Sequence, residues 1–193
     1  ELSHVRRLLD RVEMYSFLQQ KLGGSGNNSS STSTSSSTDG EKSVVHVPSI
    51  SILDEGVRGD IEKVRQQLER DGVQFPIVCK TAAACGELIT HNMAMVFNER
   101  QLMDEVLNSE QQEIPLPIVA QQYINHDGVM YKAYVIGEQV FVQEKKSIRN
   151  LYVDRETKVI RFNSQYPFPE ELLVSSSVSS VHDNNCVRES LLD

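Results

Sequence analysis

The sequence predicts an α+β fold with antiparallel sheets and flanking helices, and two patterns carry the prediction. Residues 73–97 and 129–143 each read as two short alternating strands separated by a turn, the pattern of antiparallel hairpins. Residues 1–21, 60–68 and 98–107 instead repeat apolar side chains at three- and four-residue spacing, which gives a helix one buried face.

The first hairpin holds the chemistry-bearing residues. Its first strand contains β-branched Val73, Ile77 and Val78, follows Gly72 and ends in Lys80, as an edge or hairpin strand does. Residues 81–86 (TAAACG) are almost all small, which lets a ligand approach the backbone and leaves amide N–H groups to face an anion. The return strand alternates Met93, Met95 and Phe97 against Ala94 and Val96, with His91 at its start. On residue types alone, Lys80 could equally carry its ammonium out into water.

Taken in order, residues 1–22 form a helix with Leu2, Val5, Leu8, Leu9, Val12 and Met14 on one stripe, and Arg11 is a helix charge. Residues 23–43 are mostly Gly, Asn, Ser and Thr, too polar to offset chain ordering, and read as a flexible insert. Residues 44–53 alternate as an edge strand broken by Pro48, with His46 structural or exposed. Asp60 caps a helix built on Ile61, Val64 and Leu68, and Gly72 closes it. Asn98 and Gln101 approximate a capping box ahead of the face Leu102, Met103, Val106 and Leu107. Pro115 and Pro117 stiffen the approach to a strand over 118–124.

A turn at 125–128 leads to the strand 129–136, where Lys132 shares a face with Met130, Tyr134 and Ile136. An unpaired ammonium buried there is costly, so Lys132 either reaches water or meets an anion. Gly137-Glu138 turns the chain into a partner strand over 139–143, and Lys145, Lys146 and Arg149 follow as a local basic cluster. Residues 175–193 are polar and repetitive and read as a disordered tail.

Composition narrows the function. A net charge of −8 opposes general affinity for nucleic acid or an anionic membrane, so a polyanionic ligand needs a local basic pocket. Three cysteines, Cys79, Cys85 and Cys186, have no metal-ligand spacing and read as reduced thiols. With neither a signal-like start nor a long apolar run, the expectation is a cytoplasmic monomer. The chain starts at Glu1 inside a helical pattern, so it is expected to be a fragment.

The string FPIVCKT, a small-residue loop and HNMAMVFN resemble the core of the inositol 1,3,4-trisphosphate 5/6-kinase family, also called inositol-tetrakisphosphate 1-kinases. QQYINHDGVMYKAYVIG, QEKKSIRN and RFNS continue the resemblance in order, and LLDRVEMY precedes it. The resemblance implies an ATP-grasp fold, with a central subdomain over 44–122 and the start of the C-terminal subdomain over 123–174. It also implies that ATP is bound by Arg11, Lys80, Gln121, Gln122, Tyr123, Ile124, Lys132, Ser147 and Ser164. Gln121 to Ile124 would be the hinge that holds adenine through the main chain. His91 and Lys132 would bind the inositol polyphosphate.

Two departures stand out. The family's arginine-proline-serine is here Lys145, Lys146 and Ser147, which keeps the serine and loses the proline; Phe168 stands near a second family serine. The implied reaction moves the ATP γ-phosphate to a hydroxyl of an inositol tris- or tetrakisphosphate, with Mg2+ as cofactor. Its carboxylate ligands are expected downstream, since Asp183-Asn184-Asn185 lies in Ser-rich sequence, so this piece alone is expected to be inactive. A noncatalytic nucleotide- or inositol-phosphate-binding module remains the alternative, and a carboxylate-amine ligase a less favoured one.

Overall fold

The computed structural model describes residues 8–22, 47–153 and 157–173, which form two antiparallel sheets and three helices. The larger sheet runs in the order β1 (Ile50–Leu53), β4 (Ile118–Gln122), β2 (Ile77–Thr81), β3 (Asn92–Val96) and β7 (Ile160–Asn163). The smaller is a hairpin of β5 (Val129–Ile136) and β6 (Gln139–Lys146). The helices are α1 (Arg11–Leu22), α2 (Ile61–Arg70) and α3 (Glu99–Gln101), the last running on as a π-helical segment, Leu102–Leu107.

Local chemistry accounts for the helix ends. The Asp60 carboxylate accepts from Lys63 N–H at 3.1 Å, and Gly72 takes φ +67, a left-handed turn that glycine enters without strain. Asn98 Oδ1 accepts from Gln101 N–H at 3.0 Å. Gln101 Oε1 reaches back to Phe97 N–H at 2.9 Å, one residue earlier than a capping box requires. The apolar face at 102–107 forms, but with π rather than α winding, closed by Asn108 N–H on the Met103 carbonyl at 2.8 Å.

Register gives the large sheet two distinct faces. Cys79 lies opposite Ala94 and Ala120, Ile77 opposite Val96, and Thr81 opposite Ile118. Val64 and Leu68 of α2 pack on this face with Leu102, Met103, Val106 and Leu107, forming the main core. Burying each such aliphatic side chain contributes roughly 1.5–3 kcal/mol. Burial also pushes the Cys79 thiol up to about 12, so it behaves as a core side chain.

The opposite face carries Val78, Lys80, Met93, Met95, Val119 and Gln121. One end is covered by Ile148, Leu151 and Leu172 packed on Met95 and Phe97, and the other by Tyr15 of α1 packed with Ala82 and Val119. Lys80, Met93 and Gln121 belong to neither cluster.

Several expectations are corrected. β2 forms the expected antiparallel pair with β3 but is not an edge: β4 pairs along its other side, and a 3-10 turn, Leu88–His91, lies within the β2–β3 connection. A short apolar run carries no signal for how many neighbours it has. The stripe residues Leu8 and Leu9, which precede α1, are exposed, and Arg11 and Tyr15 of α1 are the buried pair, one turn apart. Leu2, Val5, His46, the insert at 23–43 and the tail at 175–193 lie outside the described residues.

Lys132 is exposed, as are Met130, Tyr134 and Ile136 beside it, because no layer among the described residues packs on the β5–β6 hairpin. Of the two alternatives for its ammonium, the structure therefore shows the one that reaches water. Lys145 and Lys146 fall inside β6, lengthened beyond 143, so strand alternation sends them to opposite faces and splits the expected basic cluster. Arg149 is held separately by the Glu171 carbonyl at 2.7 Å. The strand predicted to reach Ile124 ends at Gln122. β7 returns to pair with β3, so residues 160–163 lie in the same sheet as β1 to β4.

Candidate functional site

Lys80 sits on the open face of the sheet, and two neutral groups hold its ammonium. Nζ donates to Tyr15 Oη at 2.9 Å and to Gln121 Oε1, while the Tyr15 hydroxyl donates to that same oxygen. The ammonium also lies 5.0 Å from the Tyr15 ring centroid, within cation–π reach. Burial, reinforced by the nearby positive charge of Arg11, lowers the Lys80 pKa to about 8. Burial likewise raises that of the Tyr15 phenol, against the opposing pull of Arg11 and the Gln121 hydrogen bond.

Arg11 is committed to the loop after β2. Its guanidinium donates to the carbonyls of Thr81 (2.7 Å), Ala83 and Thr90 (3.4 Å), and burial lowers its pKa. The backbone joins in: Arg11 N–H donates to Ala82 O and Ala84 N–H to Leu9 O, both at 2.8 Å. Ala82 N–H is bonded to Pro117 O at 3.0 Å. The amides of Ala82 and Ala84, expected to face an anion, are thus already used, the first by Pro117 ahead of β4 and the second by Leu9 just ahead of α1. Small side chains here serve close backbone packing.

The predicted hinge is also largely satisfied internally. Gln122 N–H donates to Ser49 O and Tyr123 N–H to Pro76 O, each at 2.9 Å, and the Ile124 carbonyl bonds His126 Nδ1 at 2.8 Å. The Tyr123 hydroxyl donates to the carbonyls of Ile148 and Arg149 at 3.2 and 2.9 Å, and burial pushes its pKa up to about 12. Reciprocal bonds between Asn125 and Leu151, and between Asp127 and Asn150, tie the base of the hairpin to 147–151. Ser147 belongs to this knot, with its Oγ 2.8 Å from His126 Nε2.

A third group lies where β3 and β7 meet. Ser164 N–H donates to the His91 carbonyl at 3.0 Å, and Gln165 Nε2 lies 3.2 Å from His91 Nδ1. Asn163 anchors the turn through Leu88 O and Asn92 Oδ1 at 3.1 and 2.8 Å. The predicted residues therefore fall into three groups: Arg11, Lys80 and Gln121; Gln122, Tyr123, Ile124 and Ser147; and His91 with Ser164. Lys132 stands apart on the exposed hairpin, whereas His91 ends the 3-10 turn that leads into β3 of the larger sheet. Sequence reasoning missed Tyr15, His126 and Gln165 as partners; for Tyr15 the signal was its position one turn beyond Arg11.

Residues 40–185 match the family model described as the inositol 1,3,4-trisphosphate 5/6-kinase ATP-grasp domain. The chain belongs to this family. Inositol-tetrakisphosphate 1-kinase of Danio rerio is 37% identical over 62% of this chain and 27% of its own length. Inositol-tetrakisphosphate 1-kinase 2 of Glycine max is 30% identical over 63% of this chain and 34% of its own. Inositol-tetrakisphosphate 1-kinase of Xenopus laevis is 38% identical over 50% of this chain and 22% of its own. The chain thus spans between 22% and 34% of the length of these three relatives. Within the inositol 1,3,4-trisphosphate 5/6-kinase family the ATP-grasp domain fixes the fold, here seen as mixed α and β with antiparallel sheets. The matched segment contains Lys80, His91, Gln121, Ser147 and Ser164, whereas Arg11 and Tyr15 precede it.

Proposed function

We propose that this protein is an ATP-dependent inositol-phosphate kinase, which moves the γ-phosphate of ATP to a hydroxyl of an inositol tris- or tetrakisphosphate. The observation that carries the reading is Lys80: a half-buried ammonium on the open face of an ATP-grasp sheet, held by neutral partners and near Arg11. Such a cation lacks a countercharge, and a nucleotide phosphate supplies one.

Phosphoryl transfer asks the protein mainly for positioning and for positive charge on the phosphates. In this reading Lys80 neutralises an ATP phosphate, and Arg11 holds the 81–90 loop beside it. The strand end at Gln121 to Ile124 borders the adenine, with Ser147 and Ser164 on the nucleotide side. His91 and Lys132 face the phosphates of the acceptor, and the exposed hairpin that carries Lys132 closes over the nucleotide.

Magnesium bridges the phosphates in this chemistry. Among the described residues no three His, Cys, Asp or Glu side chains converge as a metal site, so these residues do not fit the ion.

The test is ATP binding to the chain and phosphorylation of inositol 1,3,4-trisphosphate by a protein that extends over the length of its relatives. Lys80→Met should weaken ATP binding by about 1.5–3 kcal/mol, the scale of a charge-assisted hydrogen bond. Unchanged affinity would return Lys80 to a purely structural part.

A further inference from the structure

We propose that Tyr15, which precedes the segment matched to the family, is a positioning residue of the nucleotide site: its hydroxyl and ring, locked by Gln121, fix the Lys80 ammonium so that one N–H stays open to an anionic oxygen. This inference rests on the reading of Lys80 as a phosphate partner.

Proton accounting supports it. Gln121 Oε1 accepts from both the Tyr15 hydroxyl and Lys80 Nζ, which leaves Tyr15 Oη to accept from Lys80. An ammonium has three donors, so two are spent inside this triangle and the third remains. The triangle joins three separate elements, since Tyr15 lies on α1, Lys80 on β2 and Gln121 on β4, with 65 and 106 residues separating Tyr15 from its two partners.

The carrier of Tyr15 is itself fixed. Arg11, one turn earlier on α1, bonds the carbonyl of Thr81 at the end of β2 and those of Ala83 and Thr90 in the connection after it, and the bridge of Asp10 to Ala83 adds backbone pairing. Tyr15 is 9% exposed, and its ring packs with Ala82 and Val119. A long lysine side chain otherwise samples many rotamers, and holding it before the ligand arrives reduces the ordering cost of binding.

The experiment compares wild type, Tyr15→Phe, Lys80→Met and the double variant in ATP binding to the 193-residue chain. Tyr15→Phe keeps the ring and removes only the hydroxyl. It should weaken ATP binding about five- to tenfold, the worth of one hydrogen bond, and have little further effect once Lys80 is Met. An equal loss in both backgrounds means that Tyr15 acts only through the fold, and overturns the proposal.

A second readout separates this from failure of the nucleotide reading. In 15N NMR of the lysine Nζ, Tyr15→Phe should lower the Lys80 titration midpoint, because an acceptor of the charged form is lost. If Lys80→Met leaves ATP affinity unchanged, the phosphate role of Lys80 fails while this shift still reports positioning. An unmoved midpoint overturns the positioning itself.

Discussion

His126 holds the hydroxyl of Ser147 at 2.8 Å from Nε2 while its Nδ1 lies 2.8 Å from the Ile124 carbonyl. A carbonyl can only accept, so Nδ1 carries the hydrogen. In neutral imidazole Nε2 is then an acceptor, and the Ser147 proton points at His126. Ser147 thereby presents lone pairs and no donor to any further partner. His126 also meets Tyr123 edge to face at 5.6 Å, so a phenylalanine could keep the ring contact and lose both hydrogen bonds. His126→Phe should cost about 1–2 kcal/mol in denaturant unfolding, and Ser147→Ala about half of that. A neutral result for both would show that this knot does not hold the base of the hairpin.

Lys132 separates stability from function. Exposed on β5 opposite Gln143, it should tolerate Lys132→Ala within about 0.5 kcal/mol in thermal or denaturant unfolding. If it meets both nucleotide and acceptor, the same variant in a protein extending over the relatives' length should lose turnover and raise KM for each substrate. A large stability loss would instead indicate a structural contact.

Lys132, which the sequence left between water and an anion and the structure exposes, shows where sequence legibility stops. Alternation along a strand tells which side chains share a face, and it correctly set Met93 and Met95 against Ala94 and Val96, and Lys132 with Tyr134. It cannot tell whether another layer covers that face. Helix signals fared better because they are local: Asp60 caps α2, and Gly72 closes it, as their residue types require. The site was half legible. Lys80 and His91 stood out as polar residues at strand ends, but the partners that orient them come from 65 and 74 residues away. Tyr15 was hidden because the exposed Leu8 and Leu9, just ahead of α1, mimic a buried helical stripe.

His91 offers a test of the acceptor side. Its backbone is fixed by Ser164 and its ring is approached by Gln165, both from the turn after β7. Replacing it with alanine should raise KM for inositol phosphate more than KM for ATP in steady-state assays of the extended protein, because its proposed partner is the acceptor. If only the ATP value moved, His91 would belong to the nucleotide site.

Lys80 predicts a pH dependence whose sign follows from its lowered pKa. Protonated below about 8, the ammonium attracts phosphate; as pH rises through that value the charge is lost. ATP binding should therefore weaken between pH 7 and 9, by up to about tenfold if free Lys80 must be charged to bind. Stability moves the other way. The folded state binds fewer protons than the unfolded one between about 8 and the ordinary lysine value of 10.5, so Lys80 makes stability rise with pH across that window. Cys79 opposes this, because its thiol, raised to about 12, keeps a proton that the unfolded chain loses from about 9 upward. The contribution of Lys80 is therefore the difference between wild type and Lys80→Met, measured by urea unfolding at pH 7, 8, 9 and 10. Lys80→Met should be the more stable at pH 7, since it removes a buried charge, and its advantage should shrink by pH 10. A constant difference would mean that the Lys80 ammonium is as well solvated in the fold as in the open chain, and it would remove the basis for the ATP pH profile.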